Sequence, residues 1–456
     1  MRSARPKVLH TLAGRPMIAH VLAATEGAGA RQAIVVLGHE AAAVRAALPT
    51  ETLTVVQEPQ LGTGHAVRVA LDALPVGMEE EEGETALILY GDMPLLRAAT
   101  LRALRAAHAL TPYPLTLLSA VAPDPAGYGR VLRDAGGRVI GVKEQKELAP
   151  GEEDVAEINV GVYCADLAWL RRAVRALPAH PDGEYYLPDL VSVALTTAAG
   201  TARGVAVVRL EEIDGAETDE AQGVNTRVQL AAAAAIVRAR LNRDHMLAGV
   251  TIVDPATTYI EPSVVIGMDT TILPNTHLRG STRIGAGCVV GPDAEVVDSA
   301  VADDVHITRS VVEGARVGPR CHVGPFAHLR HNAVLTEDVH IGNYAEVKNS
   351  TIGPNSVSHH VSYIGDTTIG ANVNVGAGTI TANYDGVRKH PTTIGDNVFV
   401  GVGTLLRAPV TLGAGSRTGA GAVVTRDVEP GTTVAGVPAR PLTRPLTRPL
   451  TRPLGK

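Results

Sequence analysis

Arg283-Ile284-Gly285-Ala286-Gly287-Cys288-Val289-Val290-Gly291-Pro292 holds two hydrophobic–glycine pairs six residues apart, and that spacing decides the fold of the chain's second half. The pair recurs at Ile266-Gly267, Val317-Gly318, Val323-Gly324, Ile341-Gly342, Ile352-Gly353 and Ile364-Gly365. After a one-residue slip it resumes at Ile369-Gly370, Val375-Gly376, Ile394-Gly395, Val400-Gly401 and Leu412-Gly413. Such a hexapeptide period builds a parallel β-helix, in which each side is a short strand and three sides close one coil. The aliphatic residue points into the narrow interior, and the small residue after it fits the tight packing near a corner. A left-handed parallel β-helix is therefore expected over residues 249–438.

The remainder of the 456 residues is long enough for a second core. Aromatic residues make up only 3%, with Phe326 and Phe399 the only phenylalanines, so the cores are expected to be thin and aliphatic. A net charge of −6 gives no general attraction to nucleic acid or to an anionic membrane. Cys164, Cys288 and Cys321 are odd in number and far apart, which argues against a disulfide framework or a metal cluster and for a reducing cytoplasm. No apolar stretch approaches a membrane span or a signal-peptide core.

Residues 1–225 alternate apolar runs with helical patterns. Strands are expected at Ala33–Leu37, Leu53–Val56, Ala86–Tyr90, Leu115–Val121 and Val205–Leu210, with helices at Pro16–Thr25 and Gly64–Leu74. The alternation predicts an α/β domain with a Rossmann-like, mostly parallel sheet. The acidic run Glu79–Glu82 reads as a solvated loop. Residues 226–248, with Ala231–Ala235, read as one linking helix that Gly249 ends. Residues 439–456 repeat Thr-Arg-Pro-Leu, whose spaced prolines predict a disordered or extended tail.

In open parallel sheets ligands bind beyond the carboxyl ends of strands. Tyr90-Gly91-Asp92 follows one apolar run and Gln57-Glu58-Pro59-Gln60-Leu61-Gly62-Thr63-Gly64-His65 another. The glycines expose backbone amides to phosphate, and a carboxylate there suits Mg²⁺. Either cluster alone reads as a turn; together, at successive strand ends, they read as a nucleotide site. In the β-helix, His359-His360 falls among Arg330, Lys348, Tyr363, Asn374, Asn383 and Tyr384, a polar and basic set on consecutive coils. Adjacent strand residues face opposite ways, so only one of the two histidines serves a given site. Asn383–His390 breaks the hexapeptide register, as an excursion from a coil does.

Pro6-Lys7-Val8-Leu9-His10, Gln60–Ala66, Tyr90-Gly91-Asp92-Met93-Pro94, Gly127-Tyr128-Gly129-Arg130 and Glu157-Ile158-Asn159 resemble the sugar-nucleotide pyrophosphorylases. With the β-helix, residues 1–438 resemble the bifunctional N-acetylglucosamine-1-phosphate uridylyltransferase / glucosamine-1-phosphate N-acetyltransferase family. The resemblance implies two small-molecule reactions of peptidoglycan synthesis. Acetyl-CoA acetylates glucosamine 1-phosphate, and UTP then uridylylates N-acetylglucosamine 1-phosphate. It further implies that Lys7, Gln57, Gly62 and Thr63 contact UTP or UDP-sugar. Tyr90, Gly91, Gly129, Glu144 and Asn159 match sugar- and nucleotide-binding positions, and Asp92 and Asn225 match Mg²⁺ ligands. In the β-helix it makes His360 the general base, with Glu346 a partner for orienting it. Arg330, Lys348, Tyr363 and Asn374 match positions that bind glucosamine 1-phosphate. Ala377, Asn383, Tyr384, Val402 and Ala420 match acetyl-CoA positions, Val402 replacing a serine and Gly436 an arginine, with Arg440 a possible substitute for the latter. A cytoplasmic homotrimer is implied as well.

The family also opens with a strand and a glycine-rich loop that end at a methionine matching Met1. Those elements, with a catalytic arginine, are expected upstream of Met1, and the sequence as it stands is expected to be weak or inactive in uridylyl transfer. Two other readings remain open from the sequence: an acetyltransferase with an inactive nucleotidyl half, and a non-catalytic sugar-nucleotide-binding subunit.

Overall fold

In a computed structural model the described residues are 1–74, 83–196 and 203–442. The acidic run Glu79–Glu82 and the tail beyond residue 442 lie outside them. The chain divides into two compact units, Met1–Val237 and Arg238–Lys456.

The first unit is α/β. Ile34–Leu37 and Leu53–Val56 pair in parallel. A separate six-stranded sheet runs in the order Ala206–Arg209, Leu115–Val121, Glu157–Asp166, Gly129–Arg133, Val139–Lys143, with Thr85–Ile88 also pairing to Glu157–Asp166. The mostly parallel pairing expected from the sequence holds for Ile34–Leu37 with Leu53–Val56 and for Ala206–Arg209 with Leu115–Val121. It fails around Glu157–Asp166, which runs antiparallel to three neighbours. That strand escaped the sequence reading because nine of its ten residues are buried, so it shows no alternation of polar and apolar residues. The expected helices form at Met17–Gly27 and Gly62–Asp72.

Helix Arg227–Leu247 begins with a capping box. Thr226 Oγ1 accepts from the Gln229 amide at 3.1 Å, and Gln229 Oε1 accepts from the Thr226 amide at 2.9 Å. Gly249, at φ 95°, follows its end. Among the described residues no helix is long and apolar enough to cross a membrane.

The second unit is the left-handed β-helix, its two- to four-residue strands stacked into three sheets. Ile272, Val290, Ile307, Val323 and Ile341 lie in register down the first face and are all buried. The glycine after each aliphatic residue is demanded by space. A Cβ on Gly318 would lie 1.4 Å from the Thr336 carbonyl oxygen of the next coil. Many corner positions adopt the left-handed backbone and carry asparagine or aspartate, as at Asn275, Asp304, Asn332, Asp338, Asn355 and Asn372, because their short side chains tolerate positive φ.

The beginning of the tail, expected to be disordered or extended, forms a short strand. Arg440–Pro441 pairs antiparallel with Ala435 and Val434, and the Leu442 amide donates to Thr433 O at 2.9 Å. This strand lies at the sheet's edge, where a proline's missing N–H leaves no ladder bond unmade.

Candidate functional site

Among the described residues each unit brings a set of the expected site residues together. In the first, Gln57 lies just past Leu53–Val56, and Tyr90 just past Thr85–Ile88. Both line a cleft of about 820 Å³ with Gly62, Thr63 and Glu144. Gly62 opens its helix at φ 87°, and a Cβ there would stand 2.7 Å from Tyr185 O. Gln57 Nε2 donates to Gly62 O at 2.9 Å, and Thr63 Oγ1 accepts from the Leu187 amide at 3.0 Å. Burial and the Glu144 charge push the Tyr90 hydroxyl up to about 12, so it stays a neutral donor at neutral pH. Burial, then Glu147, raises the Glu144 carboxyl. Asn159 does not line the cleft. It is buried in register with Gly129, donating to the Tyr163 hydroxyl at 2.7 Å. Gly91 packs close to Ile18, 3.0 Å from a built Cβ.

Lys7 gathers the two expected metal ligands. Its Nζ donates to Asp92 Oδ2 at 2.5 Å and to Asn225 Oδ1 at 2.8 Å. The Val224 amide ties this segment to Asp92 O at 2.9 Å. Two oxygens converging on one cation fit a magnesium ion, which takes few protein ligands and completes its shell with phosphates and water. Sequence reasoning did not single out Lys146, Asp182 and Tyr186, which line the same cleft. Lys146 Nζ lies 4.5 Å over the Tyr186 ring and 3.2 Å from Asp182. Only Lys146's closeness to Glu144 in sequence pointed to them.

In the second unit His360 sits at a corner between strands Val357–Ser358 and Ser362–Gly365, and not on a strand as the sequence reading assumed. The corner divides the two histidines. The His359 ring lies 5.7 Å from that of His340, while the exposed His360 ring is 6.4 Å from His359. Above His360 the same edge continues coil by coil. The Gly378 amide donates to Val361 O, that of Gly403 to Ala377 O, and that of Gly421 to Val402 O, each at 2.7 Å. Ala377, Val402 and Ala420 thus climb one edge from His360. Below it, exposed Tyr344 and Phe326 stack at 5.5 Å.

Glu346 and Tyr363 are in register on the second face. Arg330 donates to Glu346 Oε1 at 2.7 Å, so this carboxylate serves Arg330; no contact joins it to His360 among the described residues. The register break is a tight hairpin. Tyr384 bridges Lys389, Asp385 Oδ1 accepts from the Val387 and Arg388 amides at 2.8 Å, and His390 Nε2 meets Asp385 Oδ2 at 2.6 Å. The hairpin delivers Lys389, which sequence reasoning missed, to Lys348. A hydrogen bond and repulsion from Lys389, with repulsion from Arg330, lower the Lys348 ammonium. Asn383 hydrogen-bonds Asp366 and lies 3.5 Å from the Tyr363 hydroxyl. Asn374 is set apart, on the first face, in register with Phe399. Crowded cations of this kind suit a polyanion, and the His360 imidazole stands exposed on the adjoining edge.

Residues 1–150 match the MobA-like NTP transferase domain family, residues 247–362 the GMPPB C-terminal domain, and residues 391–426 the bacterial transferase hexapeptide family. Proteins named bifunctional protein GlmU are similar over nearly the whole chain. That of Heliobacterium modesticaldum is 46% identical over 94% of this chain and 91% of its own length. That of Trichlorobacter lovleyi is 46% identical over the same shares, and that of Streptococcus equi subsp. zooepidemicus 43% identical over 95% and 92%.

The chain belongs to the bifunctional GlmU family. Membership accounts for the pairing of two unlike units, an NTP-transferase fold and a hexapeptide β-helix, in one polypeptide.

Proposed function

We propose that the chain makes UDP-N-acetylglucosamine in two steps, acetylating glucosamine 1-phosphate in the β-helix and transferring a uridylyl group in the α/β unit. The observation that carries the first step is His360, exposed and without a hydrogen-bond partner among the described residues, at the foot of an edge climbing through Ala377, Val402 and Ala420. His360 removes the ammonium proton, so the amine can attack the thioester carbonyl of acetyl-CoA and expel the CoA thiolate. Arg330 and Lys348 hold the acceptor's phosphate dianion with Tyr363, while Asn374, set apart on the first face, is assigned to the acceptor by the family resemblance alone. Ala377, Asn383, Tyr384, Val402 and Ala420 receive acetyl-CoA.

In the α/β unit, a sugar 1-phosphate oxygen attacks the α-phosphorus of UTP and pyrophosphate leaves. Positioning and charge neutralisation supply most of the rate. Asp92 and Asn225 would hold Mg²⁺, which neutralises phosphate charge when bound. Lys7, adjoining both, contacts the phosphates, while Gln57, Gly62, Thr63, Tyr90, Gly91, Gly129, Glu144 and Asn159 form or support the nucleotide and sugar pocket. We assign residues 1–225 to this activity, 226–248 to the linking helix and 249–438 to acetyl transfer, in a cytoplasmic homotrimer.

Separate assays of the half-reactions test the division. His360→Ala is expected to lower acetylation by at least a hundredfold and spare uridylyl transfer, and Asp92→Ala the reverse. Loss of both activities in a folded His360→Ala protein would refute it. Sedimentation equilibrium checks for three chains per particle.

A further inference from the structure

His306, His322 and His340 begin strands that lie in direct register on the first face of the β-helix; in the next coil Val357 takes that position and His359 follows two residues later. Their ring centroids are 4.8, 4.3 and 5.7 Å apart in sequence order. Among the described residues none of the four rings makes a hydrogen bond to a protein group. The fold does not call for histidine there. The core is built by the inward partners Ile307, Val323 and Ile341, and other coils of this face carry Thr271, Val289, Asn374, Phe399 or Arg417 at the equivalent position. Three imidazoles in register, with the His359 ring 5.7 Å beyond them, are therefore a chemical feature laid over a structural repeat.

We propose that this column binds a divalent transition-metal ion of the Zn²⁺, Cu²⁺ or Ni²⁺ class, with His322 and His340 as its protein ligands. Imidazole nitrogen suits these ions, and the His322 and His340 rings, edge to face with centroids 4.3 Å apart, are near enough for one ion to be shared between them. Only a neutral imidazole ligates. Asp338 acts electrostatically on both rings and is itself held by Arg320 at 2.8 Å, placing an anchored negative charge beside the ion. Among the described residues no three histidine, cysteine, aspartate or glutamate side chains converge on one point. The ion is thus held by two imidazoles with water completing its shell, which marks an exchangeable site and not a structural one.

The test is electron paramagnetic resonance of Cu²⁺ added to the untagged full chain, with Mg²⁺ in excess to occupy oxygen sites, beside calorimetric titration of Zn²⁺. The expected spectrum shows coupling to two imidazole nitrogens. His322→Asn, an exposed substitution that leaves the core untouched, is expected to remove one nitrogen and weaken Zn²⁺ at least tenfold. His322→Asn with His340→Asn removes both. His328→Asn, on the second face beside Glu313, is expected to change neither measurement. An oxygen-only spectrum, an unchanged signal in the double variant, or loss of the signal in His328→Asn would each overturn the assignment.

Discussion

A Cβ on Gly161, at φ 84°, would stand 2.3 Å from Cε2 of Tyr90. The absent side chain lets the Tyr90 ring lie against the long central strand and present its hydroxyl to the cleft. Gly161→Ala is expected to cost about 1–3 kcal/mol in thermal unfolding through backbone strain and the clash. It should also raise KM for UTP or the sugar phosphate about tenfold. An unchanged KM would remove Tyr90 from the pocket. Glu157 shows a different residue-scale effect. Burial pushes its carboxyl up, but hydrogen bonds from Arg133, Ser119 and Arg209 win and hold it at about 2. Its folded-state value lies below the unfolded one of 4.5, so the stabilisation is fully present above about pH 4.5 and is lost as pH falls toward 2. The contribution is on the order of 3 kcal/mol. Glu157→Gln should flatten the stability profile across that window, measured by denaturant titration at each pH.

The hairpin at Asn383–His390 is the element that turns a structural coil into a site. Asp385 caps its turn and pairs with His390, and Lys389 on its return side reaches Lys348. Asp385→Ala is expected to loosen the hairpin and raise KM for glucosamine 1-phosphate about tenfold with little change in kcat. Lys389→Ala should reproduce this, because both variants weaken ground-state and transition-state binding alike. A fall in kcat at constant KM would instead give the hairpin a part in the chemistry. The interruption was visible as a break in period, yet the identity of the side chain it delivers was not. Lys389 is 41 residues from Lys348, and only register across coils brings them together.

Across the whole molecule, stability in the β-helix is carried by one continuous aliphatic column, so each inward residue matters to its neighbouring coils. Leu329 is fully buried. Leu329→Ala is expected to cost about 2–5 kcal/mol, read as a lower unfolding midpoint of the β-helix. Acetyl transfer should lose thermal resistance, while uridylyl transfer, on a unit with its own cores, keeps its temperature profile. Equal losses in both activities would mean that the units unfold as one.

What the sequence determined alone was whatever repeats locally or is confined to a short motif. The hexapeptide period forces a β-helix because an aliphatic residue and a space-limited glycine must alternate with corners. The short runs around Gln57 and Tyr90 likewise marked two residues that line one cleft. Tertiary structure alone decided the antiparallel setting of Glu157–Asp166, the pairing of Glu346 with Arg330, and the meeting of Lys7 with Asp92 and Asn225. It also decided the histidine column, whose members lie 16 to 19 residues apart, because the hexapeptide period gives the coil length but not which rings meet. Contacts of this kind depend on the pitch of a coil or the order of strands in a sheet, and long-range hydrogen bonding sets both.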